Sequence, residues 1–186
     1  MACLLISVPQ VVTTNLGVDQ RVDEFSAIRC GEDVVTALVG RRALNGRVVE
    51  IEAAHRDIAL KDLGASQVNN HLSLIAWSIC GAEYQLLVSR GKVSDAIRFP
   101  SHSRRQPEFL GTCTLKGKAL TDDVLAVLDN PNPRRPTEPP YRPDDATPLA
   151  AVHAWRIDEV RGRFVPLTVD GLRCPRGRID SADGGL

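Results

Sequence analysis

Hydrophobic positions in this chain fall into short blocks, and the blocks predict strands over most of its length. LSLIAWSI, residues 72 to 79, is apolar on both faces, with Leu72, Leu74 and Ala76 directed one way and Ile75, Trp77 and Ile79 the other. A run of that length with no polar face predicts a central strand. EYQLLVS, which follows, sets Tyr84, Leu86 and Val88 on one face against Glu83, Gln85 and Ser89 on the other. After a turn at Arg90-Gly91-Lys92, VSDAIRF places Val93, Ile97 and Phe99 on a shared face. Connections this short cannot make parallel crossovers, so the three strands are expected to form an antiparallel meander.

The flanking segments extend the pattern. Asn45-Gly46 separates two β-prone runs and predicts a hairpin, with Val49, Ile51 and Ala53 of the second arm alternating with Glu50 and Glu52. Residues 57 to 60 read as a short strand, followed by a loop through Gly64 and Asn69-Asn70. Residues 101 to 108 read as a loop, and FLGTCTLKGKAL as a strand that turns at Gly117. TDDVLAVLDN reads as the clearest helix, over residues 121 to 130. Thr121 suits its N-cap, Asp122 and Asp123 its first turn, and Asn130-Pro131 its stop. Residues 131 to 148 carry seven prolines and predict an extended strap rather than a sheet strand. VHAWRIDEVRGRFVPLTV resumes as a hairpin turning near Arg161-Gly162, with Trp155 and Ile157 on one face.

The expected fold is therefore mainly β, an antiparallel sandwich or partly open barrel of roughly seven to ten strands with one short helix and the proline-rich strap. Residues 1 to 130 form its main region. The strap leads to a C-terminal hairpin and tail, 149 to 186, which packs back because a lone hairpin is marginal in water. The stretches around Cys30-Gly31 and Cys80-Gly81 echo one another, but two copies are too few for a repeat array.

Charge and cysteines narrow the setting. The 186 residues hold 23 basic and 23 acidic side chains, which removes the basic footprint of a nucleic-acid binder. No apolar run reaches the ~20 residues of a membrane span. The start, MACLLISVPQVV, lacks a basic n-region and a clear cleavage site. Two readings follow: a cytoplasmic chain, or a mature form with its leader removed, for which Cys3 is a lipid-modification candidate. Cys30, Cys80, Cys113 and Cys174 make an even set that allows three pairings, and the echo favours Cys30 with Cys80. Whether they pair depends on compartment, and a periplasmic or other extracytoplasmic one is slightly favoured.

Candidate chemistry is sparse. Four histidines, His55, His71, His102 and His153, are available as bases, yet no cysteine-protease signature surrounds any Cys and no GxSxG elbow exists. Phosphate loops, HExxH and zinc-spaced His or Cys pairs are absent, so no cofactor or metal site is expected. DSADGG at 180 to 185 lacks the remaining carboxylates of a calcium loop. The carboxylate pairs Glu50/Glu52 and Asp122/Asp123 are explained by a solvent face and by helix capping. Two arginine clusters remain, His102 with Arg104 and Arg105, and Arg173, Arg176 and Arg178 around Cys174. The candidate partner-binding residues are His102, Arg104 and Arg105 on the loop and Arg134, Arg135 and Tyr141 on the strap. The leading expectation is a non-enzymatic binder of another protein, of inhibitor, immunity or adaptor type. The alternatives are a small hydrolase with a dispersed site, which requires His102 or His153 to face a carboxylate or thiol in a pocket, and a structural part of a surface or phage-like assembly.

Overall fold

The computed structural model describes residues 25 to 43, 46 to 133 and 147 to 176. Cys3, Asn45, most of the proline strap with Arg134, Arg135 and Tyr141, and Arg178, Asp180 and Asp183 lie outside those residues. The described chain is mainly β, built from two antiparallel sheets, the second curled into a half-barrel.

Sheet one is a meander in the order β1 (Lys61–Asn69), β2 (Leu72–Ile79), β3 (Ala82–Ser89) and β4 (Lys92–Arg98). Two of its hairpins close on Cys80-Gly81 and Arg90-Gly91, and all four residues have positive φ. That is the signature of the tight turn whose twist matches paired strands, and glycine at its second place removes half of the strain. Sheet two runs in the order β5 (Glu108–Gly111), β8 (Val124–Asp129), β9 (Leu149–Asp158), β11 (Leu172–Cys174), β6 (Thr114–Leu115) and β7 (Lys118–Ala119). The ten-residue β9 organises it. One edge pairs with β8, and the other is shared between β11 at Leu149 and Ala150 and β10 (Arg163–Pro166) from Trp155 to Asp158. The two-residue β6 and β7 and the three-residue β11 bring the strands among the described residues to eleven, against the expected seven to ten.

Burial shows how the layers stack. One face of sheet one, with Trp77, Ile79, Tyr84, Leu86 and Val93, packs on Phe25, Ile28, Val34, Leu38 and Ile51 from the N-terminal segment. Its other face, with Leu72, Leu74, Leu87 and Phe99, packs on Leu125, Val127, Ile157 and Phe164 of sheet two. The far side of sheet two holds a third cluster around Val124, Ala126, Leu128, Leu172, Cys113 and Cys174. Strands β2, β3 and β8 thus meet apolar neighbours on both faces, which is why β2 and β8 carry few polar positions. Two disulfides staple the layers, Cys30–Cys80 and Cys113–Cys174, and the first is the pair suggested by the Cys-Gly echo.

Several local expectations are corrected. The hairpin at Asn45-Gly46 is replaced by two short helices, α1 (Val34–Leu38) and α2 (Val48–Ala54). Asp33 caps α1 by accepting from the Thr36 amide at 3.2 Å. In α2, Ile51 is buried and Val49 is 72% exposed, so one anchor on one side suffices. Glu50 pairs with Arg47, and Glu52 accepts from the Asp62 amide at 2.8 Å. Seven residues reading VVEIEAA satisfy a period of 2 as well as 3.6, and packing decided between them. Residues 57 to 60 are not a strand: a 3₁₀ turn (Arg56–Ile58) precedes Ala59, whose φ is 49°. The expected loop through Gly64 is instead β1, a polar edge strand with a register shift between Asp62 and Gly64.

The expected helix at 121 to 130 is also corrected, since its core is strand β8, with Val124 to Leu128 all buried. Asp122 serves no helix start; its Oδ2 accepts from Arg156 Nη1 at 2.7 Å. Five consecutive buried residues require two apolar layers, which a strand between β5 and β9 meets and an amphipathic surface helix does not. In β4, Val93 does not share a face with Ile97 and Phe99. The register slips between Leu87 and Val88, Ser94 is the extra residue, and its hydroxyl donates to the Leu87 carbonyl at 3.1 Å. Beyond the bulge the alternation reverses, so Val93 and Ala96 face the helices while Ile97 and Phe99 face sheet two.

Candidate functional site

The chain passes from sheet one to sheet two through residues 99 to 107, and a polar cluster sits at that passage. Glu83 and Gln85 lie two apart on β3, on the face turned toward sheet two. Glu108 opens β5, the first strand of sheet two, and His102 comes from the connecting loop. His102 Nδ1 lies 3.3 Å from Glu83 Oε2. Gln85 Nε2 donates to Glu83 Oε1 at 2.9 Å and to Glu108 Oε1 at 3.1 Å. One ligand-capable atom from each of Glu83, His102 and Glu108 falls within 4.8 Å of the other two. Gln85 is wholly buried, and its Oε1 has no hydrogen-bond partner.

Electrostatics follow from that burial. Desolvation pushes the Glu83 carboxyl above its ordinary range, opposed by His102 and by the Gln85 amide. Glu108 is raised likewise by desolvation, with the nearby Glu83 charge adding to the shift. The two carboxylates lie close together in a poorly solvated site, with the His102 imidazole beside them. The cluster borders a cleft of about 560 Å³ whose walls include Leu63, Arg98, Phe99 and His102. Phe99 is buried at its base and meets the His102 ring edge-on at 5.8 Å.

The loop above the cleft is fixed by backbone bonds. Ser103 and Gln106 exchange amide–carbonyl hydrogen bonds at 2.9 Å each. The buried Asn130 donates its amide to the Arg105 carbonyl at 2.8 Å and its Nδ2 to the Arg104 carbonyl at 3.3 Å. Leu128 donates to the Pro107 carbonyl at 2.9 Å. Residues 101 to 106 are exposed on this pinned frame.

The sequence-derived candidates divide accordingly. His102 belongs to the cluster, and Arg104 and Arg105 are exposed residues of the pinned loop. In the second arginine cluster, Arg173 is exposed on β11, while Arg176 is buried and donates to the Asn132 carbonyl at 3.2 Å. Both arginine-bearing segments therefore contact residues 130 to 132. His55 packs edge-on against Phe25, His71 is exposed at the β1–β2 turn, and the exposed His153 stacks beside Trp155. The four paired cysteines are disulfides and carry no free thiol. Glu83, Gln85 and Glu108 are not among the sequence-derived candidates, where Glu83 and Gln85 stand only as the face opposite Tyr84, Leu86 and Val88. Leu87 falls on that face too and was the available sign that another layer covers it.

Neither a protein-family model, nor a curated protein, nor a solved structure matches the chain.

Proposed function

We propose that this protein is a non-enzymatic, extracytoplasmic binding module that recognises another protein through the loop at residues 101 to 106 and the adjoining cleft. The observation that carries this reading is the pinning of an exposed, arginine-bearing loop to β8 by Asn130 and Leu128. A rigid scaffold presenting a pre-ordered polar loop pays less entropy on association than a mobile one. Arg104 and Arg105 on that loop suit carboxylate groups of an acidic partner surface. An inhibitor, immunity or adaptor role fits such a surface. Two disulfides favour an oxidising compartment.

Affinity purification from the native host, comparing the unmodified chain with R104E/R105E, tests the reading. One stoichiometric partner retained by the first and lost by the second is the expected result. No partner at low salt, or a partner indifferent to the double change, overturns it. Thiol titration of protein from its own compartment tests the location: at most one free thiol before reductant and five after is expected, and five before reductant excludes it.

A second reading, a small hydrolase, is favoured by one specific contact: His102 faces Glu83 at 3.3 Å beside the cleft, with Glu108 nearby. A histidine oriented by a carboxylate is the working unit of a general base. H102A would then abolish turnover of an ester or glycoside substrate while leaving thermal stability nearly intact.

A further inference from the structure

We propose that Glu83, His102 and Glu108 form a binding site for a divalent transition-metal ion, Zn²⁺ or Mn²⁺, at the junction of the two sheets. The inference stands apart from the protein-binding reading, because the donors exist whether or not a partner covers the loop.

The donor set comes first. One imidazole nitrogen and two carboxylate oxygens make a mixed N/O site, suited to Zn²⁺ and Mn²⁺ rather than to Mg²⁺, which prefers oxygens alone. Metal bonds of about 2.0–2.2 Å place neighbouring donor atoms roughly 3–3.5 Å apart. His102 Nδ1 and Glu83 Oε2 already stand at 3.3 Å. All three donors lie within 4.8 Å of one another, so closure on an ion requires donor separations to shrink by roughly 2 Å at most.

A second observation adjoins the same place. Gln85 is wholly buried, its Nε2 bridges both carboxylates, and its Oε1 is unpaired. An unpaired buried amide oxygen is costly, and in a site of this kind it calls for a cation or a donor. Gln85 holds the two carboxylates toward a common point through its amide hydrogens.

Position gives the ion its consequence. Glu83 belongs to sheet one, Glu108 to sheet two and His102 to the passage that joins them, so a shared ion ties the three together. Glu83 and His102 also line the cleft, which leaves coordination positions facing it, with Arg98 on the same wall.

The test uses the full, oxidised chain stripped with chelator, titrated calorimetrically with Zn²⁺ and with Mn²⁺, and followed by thermal denaturation. Saturation at one ion per chain with a rise in Tm is expected. H102A and E108Q should each weaken binding about tenfold or more, whereas H153A, at an exposed histidine on β9, should leave it unchanged. Co²⁺ gives a second readout, a visible absorption band lost in H102A. Circular dichroism and Tm of the metal-free variants establish that they fold. Absence of one-site saturation overturns the proposal, as does binding that survives both H102A and E108Q, or selective binding of Mg²⁺ or Ca²⁺.

Discussion

The two disulfides close loops of nearly the same size, with separations of 50 and 61 residues, yet they do different work. By loop length alone each removes about 4 kcal/mol of chain entropy from the unfolded state, a difference of only some tenths between them. What distinguishes them is what they hold. Cys30 is exposed and Cys80 half-buried at a hairpin turn, so this bond fastens the helical layer to the outside of sheet one. Cys113 and Cys174 are buried in the core of sheet two, among Val124, Leu128 and Leu172. The first is a latch on a cover, and the second is part of the packing it crosslinks.

The largest expected effect breaks the second bond. C113A/C174A loses the loop term and two buried side chains together, so global stability should fall by about 4 kcal/mol or more. In a chain of this size that is a Tm loss of roughly 8–16 °C. C30A/C80A should cost less globally because the cover can open alone. Amide exchange should accelerate over residues 25 to 60 and acrylamide should reach Trp77, now 5% exposed against Phe25, while β8 and β9 stay protected. Uniform loss of protection in both sheets would abolish the contrast.

Next in size is a change at the contact between β10 and β4. Gly162 has a φ of 59°, and a Cβ there would lie 2.8 Å from Ser94 Oγ. G162A should cost about 1–3 kcal/mol by chemical denaturation, and S94G should restore the part due to the clash. Mild reduction of the native protein sharpens the comparison without mutation. Alkylation and mass mapping should find Cys30 and Cys80 labelled well before Cys113 and Cys174, because thiolate attack requires access.

The smallest effect is in pH dependence, where the two regions have opposite signs. Hydrogen bonds from Thr36 hold Asp33 below its ordinary 3.8. The stability it gives the helical layer is present above that pH and is lost as pH falls through the lowered value. Asp123, just before β8 of sheet two, is raised from 3.8 by burial and then by Glu159 and Asp122. Its native form binds more protons than the unfolded chain above pH 3.8, so stability falls as pH rises through that window. D33A should therefore destabilise at pH 7 and not in strong acid. D123N should stabilise at pH 7, with the gain vanishing below pH 3.8.

Legibility varied with how local the determining contacts are. The 72-to-79 strand and its meander were readable because two-sided apolarity and two-residue Gly turns are recorded in consecutive residues. The same two-sided pattern in VLAVLD was read as a helix because Thr121, Asp122-Asp123 and Asn130-Pro131 imitate caps. Asp122 in fact answers Arg156, 34 residues away. The helix at 48 to 54 was too short for its period to show. The polar cluster was illegible for a stronger reason: positions 83, 85, 102 and 108 share no motif spacing, and only the folding of one sheet over the other brings them together.

The disulfides also follow one another along the chain without nesting or crossing. A chain delivered N-terminus first presents Cys80 to Cys30 before Cys113 has appeared, with strands β1 to β4 pairing only their immediate predecessors. Among the three pairings of these four cysteines, order of arrival favours the native one. Oxidation that keeps pace with delivery thus needs less reshuffling than oxidation of the completed chain.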